Sequence, residues 1–226
     1  MNFSPFYIEK GNGQPIVFLH GNGENHEYFV NQINYFSNNY KVIAIDTRGH
    51  GKSRRGDGDF SIKRFSTDLY NFLRDKGIPK AHIIGFSDGG NIALTFAIEH
   101  PDMVNKLVIN GANLTPSGVK RITQLPIEIG YRIARKFARK SEKANRTAEL
   151  LGLMVNEPNI SVRELKQITA PTLVIAGTRD MIKPEHTRLI AASIPSAKLI
   201  FIKGDHFIAN KKSKEFNKTV EDFLTD

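Results

Sequence analysis

The 226-residue chain contains no cysteine, which excludes a disulfide framework, a thiolate metal site and a cysteine nucleophile. It also lacks tryptophan, an absence that decides little. No run of about 18 or more apolar residues occurs, so a membrane-spanning helix is not expected. The opening stretch, MNFSPFYIEKGNG, has no basic segment followed by a long apolar one, so no signal peptide is expected and the default is a soluble, cytoplasmic protein. Acidic residues are in deficit: 23 Asp and Glu against 32 Lys and Arg leave a formal charge of +9. What remains, 40% hydrophobic and 24% charged positions with 18 Gly and 10 Pro, is ordinary for a globular domain large enough to bury a core.

Short apolar runs recur along the chain at Pro15–Leu19, Val42–Ile45, His82–Phe86, Lys106–Ile109, Thr172–Ala176 and Leu199–Ile202. Their length and their Val and Ile content suit strands buried on both faces. Between them lie stretches with helical spacing, such as Phe65, Leu69, Phe72 and Leu73, closed by Gly77 as a left-handed cap and followed by Pro79. The alternation predicts an α/β fold with a mostly parallel sheet flanked by helices. Lys10-Gly11-Asn12-Gly13 opens no helix and reads as a hairpin turn.

The alternation breaks once. Residues 114–165 hold helical patterns and no convincing strand, and read as a short helical cap inserted between core segments 1–113 and 166–226. Ile129, Ile133 and Phe137 stand at i, i+4 and i+8, a stripe expected to pack on the core or over a pocket. Ser161 followed by Glu164 resembles a capping box, which predicts a short helix leading back to the core.

The most informative segment is Gly85-Phe86-Ser87-Asp88-Gly89, which joins the apolar run His82–Phe86 to a helical pattern over Ile92–Ile98. Gly-x-Ser-x-Gly between a strand and a helix marks a sharp turn that lifts a serine Oγ above a sheet. Gly85 and Gly89 leave room for strand and helix to approach, and a helix N-terminus favours negative charge developing nearby. Serine is a poor nucleophile at neutral pH and needs a base and a group to orient that base. Candidates follow in order. Asp180 lies just beyond the run Thr172–Ala176, and His206 follows Leu199–Ile202 in the next such loop. Loops at the carboxyl ends of parallel strands are where ligands gather in open α/β sheets. Asp205 competes with Asp180, but it adjoins His206, and adjacent side chains generally diverge.

These motifs, with His20-Gly21-Asn22-Gly23 after the first strong strand and Asp46-Thr47-Arg48-Gly49-His50-Gly51-Lys52-Ser53 after the second, resemble the α/β-hydrolase fold family. That broad group includes carboxylesterases, lipases and C–C bond hydrolases, and the likeness spans nearly the whole chain apart from the cap. It implies that Ser87 attacks a carbonyl, His206 moves the proton and Asp180 fixes the histidine tautomer. It further implies an oxyanion hole built from the backbone N–H groups of Asn22 and Asp88, with His20 and Gly21 supporting the loop. A serine nucleophile sets aside the dehalogenase and epoxide hydrolase branches. The activity expected is hydrolysis of a small carboxylic ester through an acyl-enzyme. C–C bond or thioester hydrolysis of an anionic substrate stays open, as does ligand binding without catalysis.

Several residues invite functions that their surroundings do not favour. The Asp88 side chain reads as a first-turn helix charge, and His82 as a strand residue with a satisfied ring. No histidine pair has metal-ligand spacing, so neither metal nor cofactor is expected. Gly51-Lys52-Ser53 is not a phosphate loop, because Asp46 stands where that motif needs glycine. The basic excess is concentrated in Lys120–Arg146, which carries nine Lys or Arg against Glu128 and Glu142. Its plain reading is a solvated helix face; an anionic substrate at a pocket mouth and contact with anionic lipid are the functional alternatives. No nucleic-acid motif or stacking platform accompanies the charge, so no specific nucleic-acid partner is expected. The oligomeric state is left open.

Overall fold

A computed structural model describes residues 3–226. Seven strands, β1 (Tyr7–Lys10), β2 (Pro15–Leu19), β3 (Lys41–Ile45), β4 (Ala81–Phe86), β5 (Val104–Asn110), β6 (Thr172–Gly177) and β7 (Ala197–Ile202), form one sheet in the order β1-β3-β2-β4-β5-β6-β7. All neighbours are parallel except β1 and β3. The helices are α1 (Val30–Phe36), α2 (Ile62–Asp75), α3 (Asp88–Glu99), α4 (Arg121–Phe137), α5 (Glu142–Asn156), α6 (Val162–Leu165), α7 (Pro184–Ser193), α8 (Ile208–Lys211) and α9 (Ser213–Thr225).

Period-two alternation divides the core between the two faces of the sheet. Val17, Leu19, Ile43 and Ile83 turn towards α2, α3 and α7, where Leu73, Phe96 and Ile190 meet them. Ile16, Phe18, Ala44 and Ile84 turn towards α1 and α9, onto Ile33, Phe36, Phe216 and Val220. The β2, β4 and β6 side chains are buried on both faces almost throughout, as continuous apolar runs require. β7 is an edge strand, and its residues alternate between partly buried and exposed.

Local signals act where they stand. Ser61 caps α2 by accepting from Arg64 N at 3.1 Å, and Gly77 closes the same helix at φ 64°. Ser161 and Glu164 form a reciprocal capping box on α6. Arg48, in the loop after β3, is buried against Asp68 of α2 by a bidentate pair at 2.7 and 2.8 Å.

Three expectations are overturned. Gly11 and Gly13 do not turn a hairpin, because β3 lies between β1 and β2. The segment instead passes the start of β3, where Gln14 O accepts from Lys41 N and Gly11 lies against the Ser37 and Tyr40 carbonyls. The His82 ring is not satisfied: its Nδ1 is buried without a hydrogen-bond partner among the described residues. Burial pushes the ring down to about 4, so it sits in the sheet as a neutral aromatic, edge-on to Tyr40. Ile129, Ile133 and Phe137 do not pack on the core but are exposed. The face of α4 that packs on α5 holds other residues: Gln124 and Ala134 are buried, Tyr131 lies against Gly152 and Gly130 lies under Leu151. The stripe lies on the opposite side of the helix from that contact.

Candidate active site

Ser87 occupies the turn between β4 and α3 at φ 53°, ψ −119°, the one non-glycine residue with positive φ among the described residues. Such a conformation costs about 1–3 kcal/mol and survives only where its surroundings over-determine it. Ser87 N donates to Asn110 O at 2.8 Å, and Ser87 O accepts from Asn91 N at 3.0 Å. Around it strand and helix touch backbone to backbone: a Cβ on Gly85 would lie 2.2 Å from Gly89 O, and one on Gly89 2.0 Å from Leu19 O.

His206 arrives from the loop after β7 and Asp180 from the loop after β6, both nearly fully buried. His206 Nδ1 stands 2.6 Å from Asp180 Oδ1 and Nε2 stands 3.0 Å from Ser87 Oγ. The carboxylate can only accept, so Nδ1–H donates to it, leaving the Nε2 lone pair to accept the Ser87 hydroxyl proton. Asp180 is itself oriented by Ile182 N at 3.0 Å. Asp205 is spent elsewhere, accepting from Phe207 N and Lys211 Nζ. Phe86 packs on the His206 ring at 4.8 Å and is stacked in turn by Tyr28 at 4.3 Å.

The loop after β2 lies beside the serine. His20 is buried, its Nδ1–H donating to Gly21 O at 2.7 Å and its Nε2 accepting from Thr47 N at 3.0 Å. Those two fixed backbone partners define a neutral tautomer, and burial pushes the ring down to about 3. His20 is thus a brace between the loops after β2 and β3, without a free base nitrogen. Asp46 staples the same loops by accepting from His26 N and Lys52 N at 2.7 and 2.8 Å. Burial opposes its ionisation, but these N–H donors outweigh burial and hold its pKa below the usual carboxylate value. The backbone N–H groups of Asn22 and Asp88 donate to no protein acceptor among the described residues.

The Asp88 side chain stands in the first turn of α3. It is buried, accepts from Asn22 Nδ2 at 3.0 Å and Asn91 Nδ2 at 3.1 Å, and is pushed up to about 6 by burial despite those donors. Asn91 Oδ1 continues the chain by accepting from Asn113 N at 3.0 Å, so one polar network joins the loop after β2, the first turn of α3 and the loop after β5. Asn22 Nδ2 also donates to Leu150 O of α5 at 2.8 Å.

Three contributors escape a reading of the sequence. Gly111, at φ 65° after β5, lies beneath the catalytic candidates, and a Cβ there would fall 2.7 Å from His206 Cε1. Its one sequence signal is a glycine directly after a strand of a parallel sheet. Asn113 carries no local signal at all. Glu24 accepts from Gly21 N at 3.1 Å, and burial pushes it up to about 7, against the Gly21 N–H and the His206 charge, which favour ionisation. Among the described residues no group of three or more metal-ligating side chains occurs, and no helix is long and apolar enough to cross a membrane.

Comparison with known proteins gives a consistent picture. Residues 14–146 match the family model described as alpha/beta hydrolase fold. The chain is 30% identical over 205 residues to the human serine hydrolase BPHL, covering 82% of this chain and 69% of that protein. It is 28% identical, over an alignment of 268 positions, to the 2-hydroxy-6-oxo-6-phenylhexa-2,4-dienoate hydrolase of Comamonas testosteroni, covering 99% of this chain and 92% of the relative. Among solved structures, the enol-lactonase from Burkholderia xenovorans LB400 superposes with a TM-score of 0.83 at 22% identity, over 98% of this chain and 96% of that one, a likeness of fold.

Two outcomes follow from the geometry. Gly111→Ala forces a positive φ on alanine and a methyl group into the His206 ring; kcat/KM should fall about 100-fold and stability by about 1–3 kcal/mol, in steady-state kinetics and thermal melts. Near wild-type turnover would show that the ring is free to move. The second concerns Glu24, whose folded-state pKa of about 7 exceeds its ordinary 4.5. Its contribution to stability is therefore complete below pH 4.5 and is lost as pH rises through about 7. Glu24→Gln mimics the protonated form, so its Tm should gain on wild type across that window; a Tm difference flat in pH would contradict the assignment.

Proposed function

The chain belongs to the α/β-hydrolase fold family, and from that premise we propose that it is a serine hydrolase cleaving small carboxylic esters through an acyl-enzyme on Ser87. The observation that carries this reading is the unbroken hydrogen-bonded series Ser87–His206–Asp180, at 3.0 and 2.6 Å.

In this reading Ser87 Oγ attacks the ester carbonyl while its proton passes to His206 Nε2, and Asp180 stabilises the imidazolium through Nδ1–H. The tetrahedral oxyanion is met by the backbone N–H groups of Asn22 and Asp88, each worth about 3–4 kcal/mol to the transition state, and by the N-terminus of α3. Collapse breaks the C–O bond, and His206 Nε2–H protonates the leaving alcohol. Water then attacks the acyl-enzyme with His206 as base, which releases the acid and restores Ser87.

Helices α4 and α5, between β5 and β6, act as a short cap in this reading. Support comes from the ties between α5 and the site loops: Asn22 to Leu150 O, Arg146 to Gly49 O, and the Arg55–Glu149 ion pair at 2.7 Å. The carboxyl groups of Asp88 and Glu24 near Ser87 favour an uncharged substrate over an anionic one. The near-complete alignment with the Comamonas 2-hydroxy-6-oxo-6-phenylhexa-2,4-dienoate hydrolase favours a second reading, in which the same three residues cleave a carbon–carbon bond.

Initial rates on p-nitrophenyl esters, acetate through decanoate, separate the two. Fast short-chain turnover with a burst of nitrophenol is expected, reduced at least about 1,000-fold in Ser87→Ala with unchanged Tm. Ser87→Ala turnover equal to a fast wild type would refute the nucleophile. Wild type as slow as the variant on every ester would move the assignment to C–C bond cleavage.

A further inference from the structure

Helix α4 presents two outer faces that the proposed chemistry does not use. Ile122, Leu125, Ile129, Ile133 and Phe137 follow the three-and-four spacing of one helical stripe, and all are exposed, Ile122 by 85% and Ile133 by 57%. The opposite side, with Gln124 and Ala134, is the buried one. Exposed with it are Arg132, Arg135 and Lys136 of α4, and Arg139 just past the end of the helix. The one acidic side chain of α4, Glu128, is already paired with Arg121.

We propose that the outer face of α4 docks on the surface of an anionic phospholipid bilayer, its apolar stripe entering the acyl boundary and its basic side chains meeting the headgroups. Three observations carry this. A contiguous row of large apolar side chains in water is unusual for a helix that is not covered. The row lies on a single projecting helix, packed chiefly on α5, so it is convex and suits a planar, deformable surface better than a groove in a folded partner. The charge beside it is of one sign: the segment Lys120–Arg146 carries seven of the nine net positive charges of the chain. A second copy docking symmetrically through the same face would bring two such basic segments together, so charge opposes self-association there. This inference stands whether or not the ester reading holds.

The test is co-sedimentation of the full chain with vesicles of phosphatidylcholine alone or of phosphatidylcholine with phosphatidylglycerol. Binding is expected to the mixed vesicles only, and to fall steeply when salt is raised to about 0.5 M. Ile129→Ser/Ile133→Ser/Phe137→Ser should weaken it at least about tenfold, as should Arg132→Gln/Arg135→Gln/Lys136→Gln, with Tm and the wild-type rate on a soluble ester unchanged because these side chains are exposed. Absence of binding to the mixed vesicles, equal binding to both lipids, or full binding by the folded apolar variant would overturn the proposal. So would a dimer in light scattering that Ile133→Glu dissociates while no vesicle binding occurs, which would assign the face to a second copy.

Discussion

A serine held at φ 53° is expensive, and the centre of this molecule is organised around keeping it there. β4 approaches α3 so closely at Gly85, and α3 the end of β2 at Gly89, that no side chain larger than hydrogen fits either position. Those contacts, together with the hydrogen bonds from Ser87 N and to Ser87 O, leave the turn no cheaper path. The strain is borne by a core whose central strands are buried on both faces, and it raises Oγ above the carboxyl ends of the parallel strands. The loops after β6 and β7 open onto that same edge, so residues far apart in the chain, Asp180 and His206, meet the serine without further distortion.

Around this turn, buried polar groups fix loops that would otherwise be free. His20 ties the loops after β2 and β3, and Asp46 reinforces the tie with two backbone donors. The network Asn22–Asp88–Asn91–Asn113 does the same for the loops after β2 and β5, tying both to the first turn of α3. In a low-dielectric setting such bonds strengthen one another, while an unpaired member would be costly. Asp88 and Glu24 show the electrostatic side of that arrangement: burial holds both carboxyl groups above their ordinary pKa values.

Much of this was legible in the residues, and the failures have physical causes. Runs of Val and Ile announce the central strands because both sheet faces are covered, and the order serine, aspartate, histidine after three of the parallel strands points to one sheet edge. Apolar periodicity, by contrast, reports that a helix has a distinct face and not what covers it. Ile129, Ile133 and Phe137 therefore predicted a packed stripe, while other residues, Gly130, Tyr131 and Ala134 among them, make the contact. Strand pairing is similarly non-local: Gly11 and Gly13 look like a hairpin, yet β1 pairs beyond β2 with β3. Gly111 and Asn113 act only through chains brought alongside in the fold, so no pattern of near neighbours marks them.

The central claim is that the strained turn and the His206–Asp180 pair make Ser87 an activated nucleophile. Reaction with a fluorophosphonate, followed by intact-protein mass measurement and peptide mapping, reads that activation directly and needs no knowledge of the substrate. One phosphonyl adduct per chain on the peptide containing Ser87 is expected, slowed by orders of magnitude in a folded His206→Ala variant. A chain that takes up no label, or that is labelled at the same rate without His206, would contradict it.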